Sequence, residues 1–137
     1  MLNEKVRFRT LPVTQPPTPP GGGRIVTPAG ELAQVLNGET FRFLAYLEFK
    51  TDSKRPRGNH YHAEKTESLY VISGRLRAVY RDISTGEQTE RVLQAGDLVT
   101  ISPGCAHVYF PEEYSQAIEV SDAEYDPADT IPFMIEV

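Results

Sequence analysis

From Arg24 onward, apolar and polar residues alternate in short runs separated by turn signals. The stretch 41–49, Phe-Arg-Phe-Leu-Ala-Tyr-Leu-Glu-Phe, is rich in aromatic and other strand-favouring residues and reads as a strand. Residues 68–72 read as a second strand that stops at Ser73-Gly74. In 76–81, Leu76, Ala78 and Tyr80 fall on one face, because side chains alternate along a strand. The segment 82–88 reads as a hairpin loop in which Gly86 supplies a positive φ. Segments 89–93, 98–101, 107–110 and 116–120 continue the series, and 131–137 reads as one more edge strand. Only 31–36 looks helical, closed by Asn37-Gly38. Short strands with a turn every eight to twelve residues or so predict an all-β sandwich or small barrel. Alternate side chains of a small barrel point inward and can line a pocket.

Residues 11–23 break this pattern with five prolines and three glycines. Such a stretch is extended and cannot form a helix interior. It reads either as a loose arm or as one that packs along a partner subunit. The expected organisation is therefore an N-terminal arm, 1–23, and a barrel, 24–137. At 137 residues one domain suffices to bury a core. A surplus of 19 acidic over 14 basic residues, net charge -5, argues against a general nucleic-acid surface. No apolar run reaches the ~20 residues of a membrane helix, and the N-terminus lacks a signal peptide's apolar core. A single cysteine, Cys105, excludes an internal disulfide framework and fits a reducing compartment. Cytoplasm is the expected location.

The chemistry concentrates in three histidines. His60 and His62 lie in Asn59-His-Tyr-His, Glu67 follows, and His107 ends Pro103-Gly-Cys-Ala-His. His60 and His62 are two apart, so on a strand both leave one face, and Tyr61 faces away. Neutral imidazoles with a carboxylate suit a borderline or moderately hard divalent metal. An inward Glu67 brings Leu69 and Val71 with it, giving a mostly apolar wall around a few polar groups, the usual form of a small-molecule site.

Gly58-Asn-His60-Tyr-His62-Ala-Glu-Lys-Thr-Glu67, with Gly74 beyond, resembles the first motif of the cupins. Gly96-Asp-Leu-Val-Thr-Ile-Ser-Pro-Gly104-Cys-Ala-His107 resembles the second. Three departures stand out: Gly58 is closer to His60 than the motif glycine usually is, Ser102 replaces a common proline, and Pro111 stands where asparagine is usual. The resemblance implies a double-stranded β-helix, or jelly-roll, barrel, usually a homodimer. It also implies that His60, His62, Glu67 and His107 bind one divalent metal ion, zinc, iron, manganese or nickel. The alternative is a barrel that has lost its metal and keeps these residues as satisfied polar groups. Glu67 rather than Glu64 is the expected ligand, because its spacing to Gly74 fits the motif. Gly74, Gly96 and Gly104 read as turn residues. Cys105 reads as a small buried residue or a redox-sensitive neighbour of His107. Tyr109, two after His107, shares its inward face; it is a candidate catalytic acid or substrate-orienting group, or else core packing.

Lys54-Arg-Pro-Arg57-Gly-Asn-His-Tyr-His resembles, more narrowly, the cupins that modify sugar nucleotides: 3,5-epimerases, 3,4-ketoisomerases and the cupin domains of capsular polysaccharide enzymes. The epimerases imply His60 as a base and Tyr125 as an acid, yet they work without metal and lack the full ligand set. The metal-bearing capsular domain is the better local match. Lys50, Lys54, Arg55 and Arg57 would put positive charge at one mouth of the barrel, with Arg57 a candidate substrate-binding residue, or would form an ordinary solvated loop. The expected function is a metal-dependent enzyme acting on a small polar metabolite, with sugar or sugar-nucleotide isomerisation or epimerisation favoured. An iron-dependent dioxygenase using the same ligands, or a metal-loaded binding module without turnover, are the other two readings.

Overall fold

Alternating inward and outward residues fold the chain into two facing five-stranded antiparallel sheets. The computed structural model describes residues 1–53 and 55–137. One sheet runs in the order β1 (Val6–Thr10), β9 (Asp97–Ile101), β6 (Glu67–Ser73), β11 (Ser115–Ser121), β4 (Phe43–Phe49). The other runs β12 (Ile131–Pro132), β5 (Arg57–Tyr61), β10 (Cys105–Pro111), β7 (Arg75–Asp82), β8 (Gln88–Gln94). A separate hairpin, β2 (Gly23–Thr27) with β3 (Gly30–Gln34), lies against the outside of the first sheet. This is the expected jelly-roll barrel.

The core forms where the inward columns meet. Leu69 and Val71 of β6, Leu76, Ala78 and Tyr80 of β7, Val99 and Ile101 of β9, and Ala117 of β11 make one buried cluster. The outward residues Tyr70 and Leu98 form a second, with Leu11 beneath the β2–β3 hairpin. The strand positions read from alternation therefore hold, with ends shifted by one or two residues.

Three expectations need correction. Residues 31–36 are not helical: 31–34 belong to β3, paired residue by residue with β2, and 35–36 follow it without regular structure. The run is too short for a helix to stand alone. Gly30, at φ 126°, closes the turn, while Ala33 and Val35 pack against the outer cluster. The barrel also begins before residue 24. Val6 is buried and Phe8 packs on the same core, so 6–10 form the edge strand β1 beside β9. The expected strand 131–137 shrinks to Ile131–Pro132. Pro132 has no N–H to extend a ladder, but Phe133 N and Ile135 N still bond to the backbone oxygen and side-chain oxygen of Asn59. The proline-rich stretch packs on its own chain: Leu11 is buried, and Thr14 and Pro12 exchange backbone hydrogen bonds with Arg24, both 2.8 Å.

Candidate active site

The site is built where β5 crosses β10. His107 pairs with His60 and Tyr109 with Arg57, and the register slips between His107 and Val108. Arg57 and His60 are three apart, an odd spacing that would send them to opposite faces of a regular strand. The bulge absorbs the extra residue. Gly58 at φ 112° and Asn59 at φ 57° carry the distortion. A Cβ on Gly58 would lie 2.5 Å from the His107 carbonyl oxygen, so this strand approach needs glycine. Arg57 consequently lies over the Phe49 ring, 5.6 Å from its centroid, and His60 lies over His107, with centroids 4.8 Å apart.

The three histidines converge. Ligand-capable nitrogens of His60, His62 and His107 all lie within 4.8 Å of one another. His62 Nδ1 is 2.7 Å from the Asp129 carbonyl oxygen, and His107 Nδ1 is 3.1 Å from that of Cys105. A carbonyl only accepts, so each Nδ1 carries a proton and each ring turns its Nε2 inward. Those nitrogens meet Glu67: His62 Nε2 is 3.5 Å from Oε1 and His107 Nε2 is 3.3 Å from Oε2. A ring nitrogen this close to a carboxylate needs a proton or a cation between the two. Among the described residues the buried His62 Nε2 has no hydrogen-bond partner. Three imidazoles and one carboxylate with such an orphaned donor atom fit a divalent ion of borderline character.

The electrostatics separate these groups. Burial, then neighbouring His107 and His62, lowers the His60 pKa to about 4, which keeps the ring neutral at physiological pH. Burial alone would raise the Glu67 carboxyl, but its contacts with His107 and His62 outweigh that and hold it well below the usual carboxylate range. Glu119, inward on β11, shows the opposite: burial and the adjacent Glu67 push it up to about 8. One carboxyl of the pair is thus ionised and the other protonated near neutrality. Lys65 is buried too, with Nζ 3.6 Å from Glu67 Oε1 and 5.5 Å from the Phe43 ring centroid. Tyr109 packs beside His107 and accepts a hydrogen bond from Tyr80, 3.3 Å between hydroxyls. Burial and the Tyr80 neighbour raise the Tyr109 hydroxyl well above its ordinary value, so it stays protonated.

All four expected metal residues and Tyr109 therefore lie together. Tyr61 faces out onto Phe133, Glu64 is exposed, and Cys105 is buried with its thiol pushed up to about 12 by burial. Tyr125 is exposed, its ring 6.3 Å from Phe43. Lys50, Ser53, Arg55 and Arg57 surround a cavity of about 420 Å³ beside Phe49; Lys54 lies outside the described residues. Glu119 and Lys65 were missed from the sequence. The signal for Glu119 was available: it sits in the inward column of β11 between Ala117 and Ser121.

The family model described as the polysaccharide biosynthesis C-terminal domain matches residues 30–117. The chain belongs to that family. The matched span takes in β5 through β10 and so every residue of the histidine cluster. No curated protein matches the chain by sequence. Solved structures resembling this family member include a 3,4-ketoisomerase from Helicobacter canadensis, with TM-score 0.74, 14% identity, and 92% of this chain and 89% of that one covered. Another is QdtA, a sugar 3,4-ketoisomerase from Thermoanaerobacterium thermosaccharolyticum in complex with TDP (TM-score 0.73, 18% identity, 93% and 87% covered). The RmlC epimerase of Mycobacterium tuberculosis matches with TM-score 0.71 and 17% identity over 92% and 67% of the two chains. At these identities the likeness is one of fold, and it is the cupin fold that the motifs imply.

Proposed function

We propose that this chain is a sugar-nucleotide isomerase or epimerase whose barrel binds one divalent metal ion through His60, His62, Glu67 and His107. The observation that carries the reading is the set of proton-handling groups gathered inside an otherwise apolar barrel. When bound, the ion supplies Lewis-acid polarisation of a substrate oxygen. Tyr109 and Glu119 are inward groups that could hold or move a proton without serving as ligands. Moving a keto group along a sugar, or inverting a carbon beside it, needs a proton taken from carbon and one returned. Lys50, Arg55 and Arg57 line the cavity beside Phe49 and offer donors to a diphosphate. QdtA, solved in complex with TDP and, as a mutant, with TDP-4-keto-6-deoxyglucose, supports that substrate class. The reading includes a cytoplasmic homodimer, supported by the exposed Leu44 and Tyr46 on the outer face of edge strand β4; light scattering on the purified chain tests the dimer.

The test uses protein with and without added metal, incubated with TDP-4-keto-6-deoxyglucose in D2O and followed by NMR. We expect metal-dependent deuterium uptake at a carbon next to the keto group, with no oxygen consumed. Elemental analysis should give close to one metal per chain in wild type, and much less in His62→Ala. Oxygen consumption with iron would move the function to a dioxygenase. Ligand-induced stabilisation by TDP without any exchange would leave a binding module.

A further inference from the structure

Asp129 lies 67 residues from His62 in sequence and outside both cupin-like motifs, yet it makes one bond to His62 and three to the loop after it. Its backbone carbonyl takes the His62 Nδ1 proton at 2.7 Å. Its carboxylate takes the N–H groups of the next three residues: Ala63 at 2.7 Å and Glu64 at 3.0 Å on Oδ1, and Lys65 at 3.2 Å on Oδ2. Asp129 is itself only 9% exposed. It ends a single 3-10 turn, Pro127–Asp129, whose preceding Asp126 side chain accepts from Ala128 N. The following residues, Ile131 and Pro132, pair with Tyr61 and His60, and the buried Ile135 anchors the segment against Val79, Ala106 and Val108.

A carboxylate that accepts three successive amides fixes the backbone of the loop leading to Glu67. With the side chain so held, its own carbonyl is held too, and that carbonyl decides which nitrogen of His62 carries the proton. We infer that Asp129 is a positioning residue for the histidine centre, locking His62 into the Nδ1-protonated form that presents Nε2 to the cluster. The inference rests on the metal reading only for what Nε2 then binds. The tautomer itself is a property of the metal-free chain.

The experiment compares wild type with Asp129→Asn and Asp122→Asn. Asp122 serves as the matched control, because its carboxylate accepts one amide of the same loop, Thr66 N at 2.9 Å, and does not bond to His62. Histidine side-chain ¹⁵N NMR on metal-free protein reads the tautomer, and zinc titration against a chromophoric chelator reads affinity. We expect His62 Nδ1-protonated in wild type and Asp122→Asn, and a mixture of tautomers in Asp129→Asn. Zinc affinity should fall about 10–100-fold in Asp129→Asn alone. A wild-type His62 protonated at Nε2 would overturn the inference, and that measurement needs no variant to fold. Equal thermal destabilisation in both variants, with His62 and zinc affinity unmoved, would reduce Asp129 to a structural contact and also overturn it. If wild type binds no zinc, the metal function fails, while the tautomer comparison still decides the role of Asp129.

Discussion

Two walls of the histidine cluster are made in different ways. The β10 wall, with His107 and Tyr109, is the middle of its sheet: β7 pairs with it along its whole length and β5 borders the other edge. Five of its seven residues are buried. The β5 wall, with His60 and Arg57, is bulged, half-exposed and bordered on its outer edge by the two residues of β12 and single bonds from Phe133 and Ile135. His62 lies past the end of that strand and depends on Asp129. One wall is held by the core and the other by a distant segment. The difference assigns separate vulnerabilities to chemistry and to ligand geometry.

The largest expected effect comes from cutting function out of the rigid wall without moving it. Tyr109→Phe keeps the ring against Phe49 and Tyr80 and removes only the hydroxyl. Turnover of a keto-sugar nucleotide should fall about 10²–10⁴-fold, with metal content unchanged. His62→Ala on the other wall should lose metal first and activity as a consequence. If both substitutions lost metal equally, the two walls would not be separable in this way.

The bulge is the next point at which to break the comparison. Gly58→Ala meets backbone on β10, with no flexible neighbour able to give way, at a φ that disfavours any side chain. We expect a loss of roughly 2–4 kcal/mol in urea unfolding, from positive-φ strain added to overpacking. Gly96→Ala has a similar φ of 94°, but its Cβ would meet the Arg24 guanidinium end, which can swing aside. Its loss should be closer to about 1 kcal/mol. Equal losses at the two sites would mean that strain alone, and not the close approach of β5 to β10, fixes the bulge.

The contrast between the walls also explains what could be read from the chain. Leu76, Ala78 and Tyr80 announce an inward column by alternation, and His107 and Tyr109 share a face at spacing two, so the β10 side was legible. His60, His62 and Glu67 were legible as a cluster because histidine is rare here and all three copies fall in one pattern. Arg57 was harder, since simple alternation puts it opposite His60, and the Gly58-Asn59 bulge brings it to the face of Tyr109, exposed over the Phe49 ring. Asp129 was invisible, because nothing local ties an aspartate near the C-terminus to a loop that far upstream. The 31–36 segment misled because local composition favours helix, whereas pairing with β2 and contact with the outer cluster decide its form.

The smallest effect concerns the far end of the rigid wall. Asp82 ends β7 opposite Cys105, with no exposed side-chain surface, and accepts a hydrogen bond from Lys5 Nζ at 2.7 Å. That bond, partly opposed by burial and aided by Ser84 N, lowers the Asp82 carboxyl to about 2 from an ordinary 3.8. A carboxyl depressed on folding contributes stability that is complete above its unfolded pKa and is lost as pH falls through the folded one. Stability should therefore drop between about pH 4 and pH 2 through this pair, with Lys5, one-fifth exposed, keeping the effect modest. Asp82→Asn should be less stable at pH 6 and should show a shallower acid limb, followed by circular dichroism in fixed urea. An acid limb as steep in Asp82→Asn as in wild type would mean that other carboxyls govern acid unfolding, and that this wall is held by its packing alone.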